Sequence, residues 1–294
     1  MDILFSKAIC LHVTTYESLS DRGSSLVPFI NDILIAFVPY LKKGLVIELE
    51  KTNHRSQRML YNEKNINKVY KMLLNQELVQ LLIIDYYEWD DDPHYDEDAP
   101  PATYPQDFCL GISCNYASNF PTRSQELYNY PNGIGFSLSD RVLGGHIPQD
   151  IQQKFIVLFE RALSISRGVT GFITYETIAG SSPMMTPFEN YYKIPPFSKP
   201  GYRHHVKGYF WMNFLSELHI ASLGGLDYIT EHAPCFSQKR WPSGVQLQLS
   251  ADINNYSDDQ LRELRAFLSP LFPPNLEQVT PLEFYGNPIH RLVE

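Results

Sequence analysis

The sequence is poor in cysteine and has no uninterrupted apolar stretch long enough to cross a membrane. Its longest apolar candidate, residues 26–41, is broken by two prolines, an asparagine and an aspartate. The N-terminus has no basic region followed by a long apolar stretch, the pattern of a secretory signal. We therefore expect a cytoplasmic protein with no membrane contact. The four cysteines are too few and too scattered for a disulfide framework: Cys10, Cys109, Cys114 and Cys235.

Recognised catalytic and metal-binding patterns are also missing. The chain has no Gly-rich phosphate loop, no Gly-x-Ser-x-Gly and no His-Glu-x-x-His. His204 and His205 are adjacent, but neighbouring side chains diverge in a helix or a strand, which disfavours a shared metal. His12 lies in an apolar strand pattern, typical of a hydrogen-bonded core histidine. We expect no enzymatic activity, no cofactor and no metal.

Basic residues are outnumbered by acidic ones. The 24 Lys and Arg against 33 Asp and Glu give a formal net charge of -9, and the pI is about 5.5. Such a charge repels nucleic acid and anionic membranes and favours basic protein partners. With 44% apolar and 19% charged residues, the composition is that of a globular protein that can bury a core.

Hydrophobic periodicity predicts alternating strands and helices. We expect strands at 3–14, 45–51, 56–61, 79–87, 108–116, 134–139, 169–175, 245–250 and 282–285. We expect helices from Gly23 to about Leu41, from Asn62 to about Leu74, from Pro148 to Gly168, over 209–223 and from Ser257 to Leu268. Cys109 and Cys114, five residues apart in a strand, should lie on opposite faces of a sheet.

The order of these elements predicts an α+β fold, because strands and helices interleave without a strict βα repeat. Mixed or antiparallel sheets packed with helices are expected. A single compact domain over residues 1–294 accommodates the pattern, and two similar α+β halves, 1–130 and 131–294, are an alternative. A homo-oligomer is compatible with the sequence.

The most distinctive feature is the acidic-aromatic segment, residues 85–101. It contains eight carboxylates and four aromatic rings and has no Lys or Arg. A charge run between two structured elements is usually a solvated loop. Aromatic rings, however, are costly to expose in such a loop and are enriched at interface centres. The segment therefore indicates a surface that binds a cationic partner.

Within this segment, Tyr87, Trp89 and Tyr95 are predicted anchors, and six acids provide charge complementarity. The predicted binding residues are Tyr86, Tyr87, Glu88, Trp89, Asp90, Asp91, Asp92, His94, Tyr95, Asp96, Glu97 and Asp98. The long irregular connection 180–200 is a second candidate surface, with Met184, Met185, Tyr191 and Tyr192.

Spaced aromatic residues and glycines carry a resemblance over residues 130–273. They are the run from Tyr209 through Trp211 to Gly224-Gly225, then 244–250 and 268–271, preceded by 167–172. This set resembles the immunity proteins of type VI secretion and polymorphic toxin systems, including immunity protein family 52. From the residues alone, Trp211, Phe214, Leu215 and Leu218 have scaffold roles, at helical spacing in the core.

The resemblance implies a cytoplasmic protein that binds and silences a cognate toxin. Similar proteins are associated with nuclease toxins of the restriction-endonuclease class, whose nucleic-acid-binding faces are basic. The leading hypothesis is thus toxin neutralisation by stoichiometric binding. Two alternatives stay open: a hydrolase that uses acidic-loop carboxylates and His94, and a structural or adaptor module of a secretion apparatus.

Overall fold

The computed structural model describes residues 7–53, 55–85, 107–115, 131–177 and 201–273. Ten strands lie within these ranges: β1 (Lys7–Thr15), β2 (Leu45–Lys51), β3 (Ser56–Leu60), β4 (Leu78–Asp85), β5 (Phe108–Ser113), β6 (Asn132–Ser139), β7 (Thr170–Thr177), β8 (Met212–Ser216), β9 (Ser237–Trp241) and β10 (Gly244–Gln248). The helices are α1 (Gly23–Phe37), α2 (Glu63–Leu74), α3 (Gln149–Ser166), α4 (Glu217–Ser222), α5 (Leu226–His232) and α6 (Asp258–Leu268).

All ten strands form one sheet, in the order β3-β2-β4-β5-β6-β1-β7-β8-β10-β9. Every neighbouring pair is antiparallel. The predicted α+β fold class is confirmed. Strand β1 lies between β6 and β7, so residues from both predicted halves alternate at the centre of the sheet. The division at residue 130 stays a prediction.

Helices α1 and α3 cover one face of the sheet through a cluster of aromatic rings. Phe37 of α1 lies 5.0 Å from Phe136 of β6 and 5.6 Å from Phe155 of α3, measured between ring centroids. Phe108 of β5 lies 5.3 Å from Phe136. All four rings are buried. Burial of each such side chain stabilises the fold by about 1.5–3 kcal/mol, so this cluster is a main part of the core.

Helix α1 is long and apolar, and one of its faces belongs to the core. Its stretch Ser20–Tyr40 meets the length and apolarity that a membrane span requires, with a mean hydropathy of 1.3. However, Phe29, Ile33 and Phe37 are fully buried against the rest of the protein. Gly23 starts the helix where a side chain would collide with the backbone of Leu73, so α1 and α2 meet closely at this point. The expectation of no membrane contact stays a prediction.

The opposite face of the central strands is covered by residues 201–210. Side chains alternate along β1, so His12 points away from the face that carries Leu11 and α3. The His12 ring stacks on Phe172 of β7 at 5.7 Å, and Phe172 stacks on Phe210 at 4.2 Å. His12 Nε2 is hydrogen-bonded to the Thr14 hydroxyl at 3.1 Å. The predicted hydrogen bond of His12 is thus present, although the side chain is half-buried and not enclosed in the core.

The predicted helix over 209–223 is wrong in its first half. Met212–Ser216 forms β8, between β7 and β10, and the helix begins only at Glu217. Met212, Asn213, Phe214 and Leu215 are all buried, so the strand lacks the alternation that distinguishes it from a buried helix.

The predicted core roles in this region are correct for three residues of four. Trp211, Phe214 and Leu215 are buried, and the Trp211 indole donates to the carbonyl and hydroxyl of Ser250 at 2.9 and 3.1 Å. Leu218 is 47% exposed, because it lies on the outer side of the short helix α4 and not on a continuous helical stripe.

Most other predicted elements agree with the structure within a few residues. Helix α6 begins with Ser257 as its N-cap, as predicted, and Gly224 and Gly225 have the positive φ angles of 98° and 101° expected of a turn. Strand β9 was not predicted, because the exposed sequence Ser237–Trp241 has no apolar alternation. Helix α5 was not predicted either. The predicted strand at 282–285 lies outside the described residues.

Candidate functional site

The predicted binding residues begin directly after β4. Strand β4 ends at Asp85, the first residue of the acidic-aromatic segment. Residues 86–106, and with them all the predicted binding residues Tyr86–Asp98, lie outside the described part of the chain. The described residues on either side, Asp85 and Asp107, define where this segment leaves the sheet and returns to it.

The Asp85 carboxylate ties these two points together. Its Oδ2 accepts a hydrogen bond from the Asp107 backbone N–H at 3.2 Å, and its Oδ1 accepts from the Phe108 N–H at 3.3 Å. Asp85 is 2% exposed. Burial raises the pKa of its carboxyl, and the two backbone N–H bonds oppose that rise. The connection 86–106, which carries the predicted binding residues, therefore leaves and rejoins the sheet at one fixed point between β4 and β5.

A polar network extends from this point across the neighbouring strand ends, which form one edge of the sheet perpendicular to the strands. Arg141, just after β6, binds Asp107 Oδ1 through Nη2 at 2.7 Å and through Nε at 3.1 Å. The neighbouring Asp140 accepts a hydrogen bond from the Tyr175 hydroxyl of β7 at 2.7 Å. Lys7 Nζ lies 5.6 Å from the centroid of the Tyr175 ring. We call this set, with Asp85, the polar edge.

The second candidate surface leaves the sheet from the same edge. Strand β7 ends at Thr177, next to the start of β1 at Lys7, whereas β4 ends next to the start of β5. Four strand spacings separate β4 from β7, which is about 19 Å. Residues 178–200, with Met184, Met185, Tyr191 and Tyr192, lie outside the described residues. Both predicted surfaces are thus connected to one edge of the sheet.

Gly144 and Gly145 form a turn next to the polar edge. Gly144 and Gly145 have φ angles of 84° and 87°, and the Gly145 N–H donates to the Asp140 carbonyl at 2.8 Å. The pair closes the short 3-10 turn Asp140–Leu143 that carries Arg141. The pair therefore forms a turn that positions Arg141 in the polar edge.

Three histidines come close together near α4. His205 Nδ1 is hydrogen-bonded to the Leu271 carbonyl at 3.3 Å. Burial lowers the pKa of His219, and the charges of His204 and His205 act in the same direction. Within the described ranges, no group of three or more His, Cys, Asp or Glu side chains is arranged to hold a metal ion.

The cysteine thiols are all free. Cys114 belongs to the main core, whereas Cys109 packs with Val46 and Ile84 in a small separate cluster. The two thiols therefore lie on opposite faces of the sheet, as their spacing predicted. Burial raises the pKa of each to about 12, which makes both unreactive at neutral pH.

The comparisons with known proteins find a likeness in fold. No family model matches the chain, and no curated protein matches it in sequence. Among solved structures, the Pseudomonas aeruginosa T6SS protein PA0821 is similar, with a TM-score of 0.60 at 12% identity; the match covers 90% of this chain and 76% of that chain. At this identity the match shows a shared fold. Membership of immunity protein family 52 stays a prediction.

We expect the substitution Asp85→Asn to loosen the base of the acidic-aromatic segment. The amide keeps one oxygen acceptor but places an NH₂ group against a backbone N–H, which should destabilise the protein by about 1–3 kcal/mol. Urea unfolding measures this loss, and hydrogen exchange at the Asp107 and Phe108 amides measures the local opening. The exposed Asp227→Asn is the matched control. Unchanged exchange at both amides in Asp85→Asn would contradict the anchoring role.

Proposed function

We propose that this protein is an immunity protein that neutralises a toxin of a type VI secretion system by stoichiometric binding. In this proposal the protein catalyses no reaction and inhibits the toxin by binding to it. The acidic-aromatic segment provides the contact surface. The observation that carries the proposal is the fixed base of this segment: a buried carboxylate, Asp85, joins the two strands, and residues 86–101 between them in the sequence contain seven further carboxylates and four aromatic rings.

The charge of the segment supports a basic partner. Closely spaced carboxylates repel one another, and a cationic surface relieves that repulsion and speeds the encounter. Tyr87, Trp89 and Tyr95 would then supply the desolvated anchors that dominate interface energies. A nuclease domain has such a basic face, where the acids and rings could take the place of phosphates and bases.

The fixed base matters because a connection whose two ends are restrained has less conformational entropy to lose on binding. Two backbone hydrogen bonds to Asp85 and the Asp107–Arg141 ion pair restrict both ends of the segment. Restraining a loop in this way favours affinity without adding contacts.

The likeness to the P. aeruginosa T6SS protein supports an association with type VI secretion. It supports a second candidate function equally well, that of a structural or adaptor protein of the secretion apparatus. An adaptor would use the same edge to bind another apparatus protein. The two functions differ in what happens to a poisoned cell.

Co-expression with the toxin domain encoded by the adjacent upstream reading frame tests the proposal. We expect growth to be restored, with the two proteins purifying as a one-to-one complex. Cell death despite abundant soluble protein would overturn the immunity function. Co-purification with several apparatus proteins, without rescue, would instead support the adaptor. Consumption of a substrate by the purified protein alone would overturn both.

A further inference from the structure

A cavity of about 320 Å³ lies beside the edge strand β9, which six other strands of the sheet separate from β4. Three stretches of chain form it: the connection between α5 and β9, the residues that follow β10, and the first turns of α6. The lining includes Cys235, Phe236, Leu249, Ser250, Gln260 and Glu263.

The floor of the cavity is fixed by hydrogen bonds to the core. Trp211 Nε1 donates to the carbonyl and hydroxyl of Ser250, and the Leu249 N–H donates to the Trp211 carbonyl at 2.7 Å. The Phe236 N–H donates to the Gln248 carbonyl at 2.8 Å, which holds the rim to β10. The cavity is therefore formed in advance of any binding.

Phe236 is an aromatic ring at the rim that the fold does not bury. It is 64% exposed although its neighbour Leu249 is 3% exposed. Close by, Tyr228 is 46% exposed and stacks on His232 at 4.3 Å and on Phe267 of α6 at 6.3 Å. Phe267 lies one turn along α6 from Glu263, so the rings continue from the cavity along one side of the helix. Exposed aromatic rings beside a cavity are typical of interaction surfaces.

The charge at the rim is negative and unpaired. Glu263 is exposed and forms no ion pair with another described residue, whereas the adjacent Arg262 pairs with Asp259 at 2.7 Å. Asp227 and Glu231 of α5, beside Tyr228, are likewise exposed. A cationic group at the rim would meet a carboxylate that is free to pair with it.

We propose that this cavity receives an arginine side chain of a protein partner. The flat guanidinium can stack on the Phe236 ring and bind the Glu263 carboxylate through two N–H groups. The aliphatic stem of the arginine would pack on Leu249. A lysine can offer only a point charge, so arginine fits the ring and the carboxylate better. This inference goes beyond the proposed function, because it adds a contact outside the acidic-aromatic segment and does not depend on the partner being a toxin.

Titration with N-acetyl-arginine amide, followed by amide NMR shifts, tests this inference without any toxin. We expect saturating shifts confined to the cavity residues Cys235, Phe236, Ala251 and Glu263, with a dissociation constant in the millimolar range, on the order of 1–10 mM. N-acetyl-citrulline amide is the neutral control of the same shape. It should bind at least about 5-fold more weakly, because it lacks the charge that pairs with Glu263.

Two variants locate the binding. Phe236→Ala and Glu263→Gln should each weaken the arginine response by about 5-fold or more. Leu218→Ala and Glu77→Gln, also exposed but outside the cavity lining and its acidic rim, should leave it unchanged. All four sites are exposed, so the variants keep their fold, and dispersed NMR spectra verify this.

Three outcomes would overturn the inference. The first is an absence of shifts up to about 50 mM arginine amide, far above the expected affinity. The second is an equal response to the citrulline compound. The third is self-association of the free protein that Phe236→Ala abolishes, because the occupant would then be a second copy of this chain. None of these results bears on protection from a toxin. The arginine site can therefore be disproved without disproving the immunity function, and the reverse also holds.

Discussion

Replacing Asp90, Asp91, Asp92, Asp96, Glu97 and Asp98 by serine is expected to slow association with the toxin domain by about 10-fold or more at low salt. The six charges lie within nine residues, so they act as one concentrated negative field. Their removal should also flatten the dependence of the association rate on ionic strength, since the Debye length falls from roughly 30 Å at 0.01 M to about 8 Å at 0.15 M. Stopped-flow association rates at several salt concentrations measure both effects.

A control variant carries the same change in net charge at other places. Its substitutions replace six exposed acids outside the segment by serine or glutamine: Glu63, Glu77, Glu217, Asp227, Glu231 and Asp258. If net charge alone steers the encounter, both variants should slow it equally. If the segment is the contact surface, only its own variant should lose most of the rate. Thermal melts must show that both remain folded.

An unchanged association rate in the segment variant would count against these binding residues without excluding an immunity protein. Binding would then move to the second candidate surface, residues 178–200, which joins the sheet at the end of β7. The common edge makes this outcome physically reasonable, because a partner that spans about 19 Å of the edge would reach the bases of both segments.

The sequence was sufficient to predict elements whose periodicity is regular. Strand β2 was predicted with its exact bounds, and α3 was predicted from apolar residues three and four positions apart. Strand β8 was mistaken for a helix because it is buried on both faces, and β9 was missed because it is an exposed edge strand. The period of the pattern is informative only when one face is buried and the other is not.

The arrangement around the candidate site could not be predicted from the sequence. The position of the acidic-aromatic segment after a buried strand was correct, since β4 ends at Asp85. The bonds from Asp85 to residues 22 and 23 positions later, and the pairing of Arg141 with Asp107, join distant parts of the chain and leave no local pattern. The insertion of β1 between β6 and β7, which brings both candidate surfaces to one edge, is a property of the sheet order alone.

The cavity next to Phe236 could not be predicted from the sequence either. Its aromatic and acidic residues are spread over α5, the following connection and α6, so no short stretch of sequence resembles a binding motif. The structure shows the site through exposure: Phe236 lies outside the core, and Glu263 forms no ion pair with any residue that the structure describes. The acidic-aromatic segment and the cavity both place acidic side chains beside aromatic rings. Only in the acidic-aromatic segment are these residues consecutive, so only that surface was recognisable from the sequence.

The substitution His219→Gln is expected to make the protein more resistant to acid. His219 is fully buried, and its Nδ1 accepts a hydrogen bond from the Ser216 N–H at 3.2 Å, completing the capping box of α4. Burial is the largest cause, the nearby charges of His204 and His205 act in the same direction, and backbone acceptors at His205 and Tyr202 oppose them; together they lower the pKa of the imidazole to about 4. The ordinary value, 6.5, applies in the unfolded chain.

Because the folded pKa is depressed, the unfolded chain binds more protons between pH 6.5 and 4. The stability associated with neutral His219 is therefore present above pH 6.5 and is lost as the pH falls, by about 3 kcal/mol at pH 4. Glutamine cannot titrate, and it can accept the same Ser216 N–H, as Gln260 does for Ser257 in α6. The variant should thus match the wild type within about 1 kcal/mol at pH 7.5 and exceed it at pH 4.

Urea unfolding at a series of pH values from 7.5 to 4 measures the difference between the two proteins. That difference isolates His219 from the other groups that titrate in this range, including His12, whose pKa is also lowered by burial. His232→Gln serves as the matched control, because this histidine is exposed. It should follow the wild-type curve. Parallel curves for wild type and His219→Gln would mean that the imidazole does not resist protonation in the folded protein, and the burial of α4 against residues 202–205 would have to be revised.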